Sequence, residues 1–345
     1  MNDKKTLFKN TLLKEQYISL AHGNGGRYMR ELIDELFAKY LANPLLNTQN
    51  DAVSLSLEHT EIAFTTDGFT VNPLEFPGGT IGSLAIHGTV NDLAVAGATP
   101  KYLSLNAFIE EGLSFEQLER IVKSMAEAAT EANVAIVTGD TKVVPRGEVA
   151  GVFFATSGIG IMGNHKLGMR EIQNGDKILV SGTVGDHGTA VMLAREQFGL
   201  KGTLLSDAAS VLPLTQTLLN IDGLRFMRDP TRGGLASVGN EISRATNKEV
   251  HLLQKAIPVH EQVESVCEIL GYDPLYLACE GRVVAIVAND NAEQALTSWQ
   301  SLDSGSAASI IGEIRPGPAQ VVLETELGGE RILEELEDDP LPRIC

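Results

Sequence analysis

The run Val134-Ala-Ile-Val-Thr138 is a fully apolar strand, and it leads straight into Gly139-Asp140-Thr141-Lys142. A short apolar run closed by a glycine turn is a strand of a covered sheet rather than a helix. An acid and a lysine two residues apart at its end place charge where such sheets carry their sites. Its neighbours repeat the alternation. Glu61 to Thr66 reads as a strand that delivers Asp67 at its end, and a loop with Pro73, Pro77, Gly78 and Gly79 follows. Ile81 to Ala96 is a helix of small residues, and Lys101 to Ile109 a strand. Ser114-Phe-Glu-Gln117 is a capping box for a helix with Leu118, Ile121, Val122, Met125 and Ala129 on one side. Ala150 to Met162 is a further strand, and the chain is therefore α/β.

Gly163 to Asn174 reads as a linker, and a second αβ half begins at Asp176-Lys-Ile-Leu-Val-Ser181. Two halves suit a chain of 345 residues. The division expected is a glycine-rich loop and helix over residues 1–45, a first domain over 46–162, a second over 170–320, and a tail over 321–345. The formal net charge of −18, without a Lys/Arg-rich run, excludes the usual nucleic-acid partner. No apolar run approaches membrane-spanning length and the start is too polar for a signal peptide, so a cytoplasmic protein with no membrane partner is expected. Cys267, Cys279 and Cys345 have no close spacing, which gives neither a disulfide framework nor a zinc site.

Polar residues at the turns carry the chemistry. His22-Gly23-Asn24-Gly25-Gly26 opens a helix and offers free N–H groups to an anion. Asn91-Asp92 lies amid apolar neighbours and needs buried partners or a ligand; a packing network explains it as well. Asp67, Asp92 and Asp140 beside a glycine loop suit magnesium and polyphosphate, because Mg2+ takes carboxylate oxygen together with substrate phosphate. The phosphate-loop signature G-x-x-x-x-G-K-[ST] is absent. Met227-Arg228-Asp229-Pro230-Thr231-Arg232-Gly233-Gly234 opens a helix, Leu235 to Arg244, with two arginines fit for phosphate. Glu280 stands between an apolar run and Gly281, a position that would desolvate a base; a surface turn accounts for it equally.

The last residue is Cys345. Glu330 to Asp339 is acidic with Ile332, Leu333 and Leu336 at helical spacing, after which Pro340 and Pro342 impose an extended chain. Six extended residues reach about 20 Å. A terminal thiol on such an arm points to a covalent carrier or a self-modified substrate.

Together these motifs resemble a known group. Asp67 at a strand end, Gly88-Thr-Val-Asn-Asp-Leu-Ala94, Thr138-Gly-Asp-Thr-Lys142 and Asp229-Pro-Thr-Arg-Gly-Gly-Leu235 are similar to the superfamily of aminoimidazole ribonucleotide synthetase and selenophosphate synthetase. Phe76-Pro-Gly-Gly79, Gly185-Asp-His-Gly188 and the terminal Pro342-Arg343-Ile344-Cys345 narrow the resemblance to the HypE family of hydrogenase maturation proteins. Gly68 and Cys279 depart from that family's usual residues. The resemblance implies two mixed-sheet α/β (α+β) domains with a flexible tail. It also implies ATP-dependent dehydration of an S-carboxamide on the terminal cysteine to an S-cyanate, the source of cyanide ligands for [NiFe] hydrogenase. Asp67, Asp92 and Asp140 would hold Mg2+. Gly25, Gly26, Asn91, Gly139, Thr141 and Arg232 would join them around ATP. Cys345 would be the modified thiol, Lys142 and Glu280 would handle protons, and Pro342, Arg343 and Ile344 would lead the arm. The implied partners are the carbamoyltransferase HypF, the HypC–HypD complex as cyanide acceptor, and a second copy joined through strands of the N-terminal half. A synthetase acting on a soluble substrate would not need Cys345, and a passive thiol carrier would not need the three aspartates.

Overall fold

The computed structural model describes residues 16–23, 27–46, 55, 57, 61–195 and 202–335. Gly25, Gly26 and the arm residues Pro342, Arg343, Ile344 and Cys345 lie outside them.

The first half begins with a helical segment in three parts: α1 (Arg27–Leu32), a π-helical turn (Ile33–Phe37) and α2 (Ala38–Tyr40). Strand β1 (Ile62–Phe69) follows, then the small hairpin β2 (Glu75–Phe76) and β3 (Gly79–Thr80), and helix α3 (Ile81–Val95). Next come β4 (Ala98–Glu110), α4 (Phe115–Glu131), β5 (Ala135–Val144) and β6 (Val152–Met162). The sheet order is β1-β6-β4-β5, antiparallel except for the parallel β4–β5 pair.

Helix α3 is buried almost all round, as its apolar and small residues require. Thr80 caps it by accepting from Gly82 and Ser83 N–H groups, and the Ser83 hydroxyl returns a bond to the Thr80 backbone. At α4 only half of the expected capping box forms. Ser114 accepts from the Gln117 N–H at 3.4 Å, but the Gln117 amide donates to Glu75 instead of returning to residue 114. A carboxylate presented by β2 competes successfully for it.

Two other elements differ from the sequence expectation. The glycine and charges after Thr138 are no turn, because β5 continues through them, with Gly139 opposite Leu105 and Asp140 opposite Asn106. A Cβ at Gly139 would stand 2.3 Å from the Leu105 carbonyl oxygen, so the glycine permits close strand approach there. Glu330–Ile332, expected to be helical, is an edge strand.

The second half comprises β7 (Lys177–Val180), α5 (Asp186–Ala194), α6 (Leu212–Leu219), β8 (Leu224–Arg228), α7 (Gly234–Thr246), β9 (Glu249–Leu253), α8 (Glu261–Leu270), β10 (Val284–Val287), α9 (Ala292–Gln300), β11 (Ser309–Arg315), β12 (Gln320–Glu324) and β13 (Glu330–Ile332). Its sheet runs β13-β12-β9-β11-β7-β10-β8, antiparallel save for β12–β9. One core packs Leu235, Val238 and Ile242 of α7 against the sheet, and another packs Leu214, Leu218 and Trp299 from α6 and α9. The core beneath the first sheet also takes in Val191, Met192, Val263 and Leu277 from the second half. The two halves thus share buried apolar surface.

Candidate active site

The seam between the halves collects carboxylates. Asp67, inside β1 and not at its end, faces α3, where the Thr65 hydroxyl donates to Asp92 Oδ2 at 2.8 Å. Arg232, just before α7, reaches Asp67 Oδ1 at 3.5 Å. Asp229 is 6% exposed beside them. Burial, with the charges of Asp92 and Asp67, pushes Asp229 up to about 7 against the pull of Arg228. Burial also raises Asp92, and the Asp67 charge adds to this, while the Thr65 bond, Arg228 and Arg232 oppose it. Three acids and two guanidinium groups therefore meet at one seam. A groove of about 470 Å³ opens beside them, lined by Thr65, Asp92, Arg228, Phe64 and Phe226. Among the described residues no group of three or more His, Cys, Asp or Glu is placed to hold a metal alone. Magnesium, which takes one or two carboxylates and leaves the rest to phosphate and water, fits a site of this kind.

Asp140 stands apart from this cluster. β5 and β1 are opposite edges of the first sheet, three strand spacings or roughly 14 Å apart along it. Asp140 Oδ2 pairs with Lys142 Nζ at 3.2 Å, both side chains more than half exposed. Gly23 packs against Val143 of the same strand. A cavity of about 130 Å³ lies alongside, lined by Met29, Ile33, Phe37, Ile136, Gly139 and Asp140. Thr141 is buried, and its N–H donates to Asp140 Oδ1. The single cluster expected of Asp67, Asp92 and Asp140 does not form within one chain, because Asp140 lies at the opposite edge of the sheet.

Asn91 and Glu280 are brought together, though not as expected. The Asn91 amide donates to the Ala209 and Glu280 carbonyls, both at 3.0 Å, and accepts from the Val211 N–H at 2.9 Å. With both amide hydrogens engaged by backbone, Asn91 bridges the halves rather than joining the acid cluster. Glu280 is 4% exposed, in the buried environment anticipated for a base. Cys279 is fully buried; its Sγ accepts from the Gly185 N–H at 3.2 Å, and burial raises the thiol well above its ordinary range. Asp207 and Arg282, which adjoin Glu280, were not among the expected residues, and nothing in their local sequence marks them. Asp229 was visible within the Asp-Pro-Thr-Arg-Gly-Gly motif but had not been assigned a place in the site.

Residues 49–162 match the model of the AIR synthase related protein N-terminal domain, and residues 173–324 match that of the C-terminal domain. Fold and seam thus define a two-domain AIR synthase related protein. Carbamoyl dehydratase HypE of Escherichia coli (strain K12) is 47% identical over 336 residues, covering 95% of this chain and 99% of that protein. The crystal structure of hydrogenase maturation protein HypE in complex with ATP superposes with a TM-score of 0.90 at 45% identity, covering 95% of this chain and 99% of its own. The chain of a HypE–HypF complex gives 0.78 at 44% identity, covering 88% and 99%. The chain belongs to the carbamoyl dehydratase HypE family.

Proposed function

We propose that this chain is the carbamoyl dehydratase of hydrogenase maturation, acting on its own Cys345. The observation that carries this reading is the near-full-length identity with carbamoyl dehydratase HypE. The seam of acids and arginines supplies a place for the chemistry. A carbamoyl group on Cys345 is an S-carboxamide, whose oxygen leaves poorly. Transfer of the ATP γ-phosphoryl to that oxygen gives an iminophosphate and ADP. One N–H proton is lost as the iminophosphate forms, and loss of the remaining N–H proton together with phosphate then forms the nitrile, so the oxygen departs within phosphate and the product is an S-cyanate. The protein must place oxygen and γ-phosphorus in line, neutralise charge, and accept protons. Asp67 and Asp92 would hold Mg2+, whose chemistry when bound is to offset polyphosphate charge. Arg232 screens the same phosphates, Gly25, Gly26, Gly139 and Thr141 border the nucleotide, and Glu280 with Lys142 takes the protons.

Asp140 and Lys142 reach this site from a second copy. The face of the first sheet away from α3 exposes Phe64 (67%), Ile62 (41%) and Phe108 (39%), a surface that suits burial against its equivalent. Two sheets closed edge to edge, β5 of one beside β1 of the other, join the half-sites. HypF, the partner in the related HypE–HypF structure, would load the thiol. The HypC–HypD complex would take the cyanide. No helix among the described residues is long and apolar enough to cross a membrane, and a cytoplasmic location fits these partners.

The test is mass spectrometry of the terminal peptide after incubation with HypF, carbamoyl phosphate and ATP. Loss of one water from the carbamoylated peptide, abolished in Cys345→Ala while ATP binding survives, is the expected result. A terminal peptide that never gains the carbamoyl group refutes the reading. Mixing inactive Asp92→Asn and Asp140→Asn chains tests the shared site, because a mixed dimer keeps one intact site. Failure of the mixture to recover activity refutes the assignment of Asp140 to the partner's site.

A further inference from the structure

We infer that Asn91 and Asp207 are positioning residues that fix Glu280 between the two halves. The inference rests on the reading of Glu280 as the base. Both backbone polar groups of Glu280 are held by side chains, one from each half. Its N–H donates to Asp207 Oδ1 at 3.2 Å, and its carbonyl accepts from Asn91 of α3 at 3.0 Å. The next residue is tied as well, since the Gly281 N–H donates to Asp207 Oδ2 at 3.3 Å. A Cβ at Gly281 would lie 1.8 Å from the Asp207 carbonyl oxygen, so the strip around residue 207 and the turn around residue 281 fit at backbone contact. Asp207 has a fully buried side chain and is paired with Arg282 Nε at 3.5 Å; Arg282 also reaches Asp186.

The same strip is fastened to the first half. The Ser206 N–H donates to the Pro77 carbonyl at 2.8 Å, and Asn91 holds the Ala209 carbonyl and the Val211 N–H. Asn91 and Asp92 are adjacent on α3 and face different ways. Asp92 takes the Thr65 hydroxyl in the acid cluster, while Asn91 takes the backbone of Glu280. One rigid helix therefore sets the distance between the carboxylates proposed for Mg-ATP and the base proposed for the amide. A displacement of about 1 Å at such a joint costs on the order of 10²-fold in rate.

The experiment uses the full chain, loaded by HypF, with single-turnover dehydration and ATP affinity measured separately. Asn91→Ala is expected to slow dehydration about 100-fold while ATP affinity stays within about threefold. In a Glu280→Gln background the same substitution should slow it by less than about twofold, because the group it positions is gone. Asn91→Asp, which retains the acceptor for Val211 but loses both donors, should behave like Asn91→Ala. Asp207→Asn provides an independent variant if the Asn91 variants fold poorly, with the same pattern expected. Loss of ATP affinity in Asn91→Ala would make it a nucleotide ligand and overturn the inference. Equal slowing in both backgrounds would overturn it too, as general loosening of the seam. A Glu280→Gln chain as fast as the unsubstituted one refutes the base assignment itself, and the joint with it, which separates the two failures.

Discussion

Asp229→Asn should make the metal-free protein more stable in alkali and leave it little changed in acid. Asp229 is raised from its ordinary 3.8 to about 7 by burial first and by Asp92 second. Its folded value lies above its unfolded value, so the folded state favours the neutral acid. The favourable contribution is fully present below about pH 4 and is lost as pH rises through 7. The gap corresponds to about 4 kcal/mol, at about 1.4 kcal/mol for each pH unit. Asparagine keeps the shape without the charge and escapes that cost. In guanidinium unfolding with EDTA present, the advantage of Asp229→Asn should grow by about 2 kcal/mol between about pH 5.5 and about pH 8.5. Magnesium and ATP should shrink the advantage, because cationic charge at the seam stabilises the carboxylate. An advantage that does not change with pH, or a variant less stable at the alkaline end, refutes the reasoning.

Asp92→Asn keeps an acceptor for Thr65 and should fold normally while weakening Mg-ATP binding, as titration calorimetry will show; a variant that unfolds instead makes Asp92 a packing residue. Gly281→Ala should lower stability by about 1–3 kcal/mol and slow dehydration, since the backbone near Asp207 must retreat; a melting temperature equal to that of the unsubstituted chain contradicts this packing. Phe64→Asp places a charge on the open face of the first sheet and should give a monomer by light scattering, with little dehydration; an active monomer excludes the shared site.

How much of this was legible depended on the range of the cause. Periodicity marked α4 well because its stripe of Leu118, Ile121, Val122 and Met125 is local, and all four are buried. The turn read at Gly139-Asp140 failed because pairing with β4 carries the strand on to Val144, and no local signal reports a partner strand. Ile332 and Leu333 have helical spacing only on paper. Val322 stands opposite Ile332, and edge pairing overrides the pattern. The motif Asn91-Asp92 was visible as buried polarity, but consecutive helix positions point about 100° apart, so the two could not serve one site. Asp207 was illegible, since its partners lie more than 70 residues away.

The root of the arm is itself positioned, and the strength of its fastening can be ranked. Arg244 holds Glu335 through two contacts at 2.5 and 3.2 Å, but both side chains are about half exposed, so the pair is worth little. Leu333 is fully buried, its N–H donates to Val321 and its carbonyl accepts from Asn240 at 3.0 Å. A buried leucine contributes about 2 kcal/mol, more than the ion pair beside it. The Tyr276 hydroxyl adds a bond to the Glu334 carbonyl at 2.7 Å. The arm is therefore rooted on the second half at Leu333 to Glu335. The ten residues from Leu336 to Cys345 span about 33 Å at full extension. A substrate tethered this way needs no affinity of its own for the site, because the tether supplies the local concentration. Binding contacts can then be confined to ATP at the proposed acid cluster, while the joint at Asn91 places the proposed base for the tethered amide.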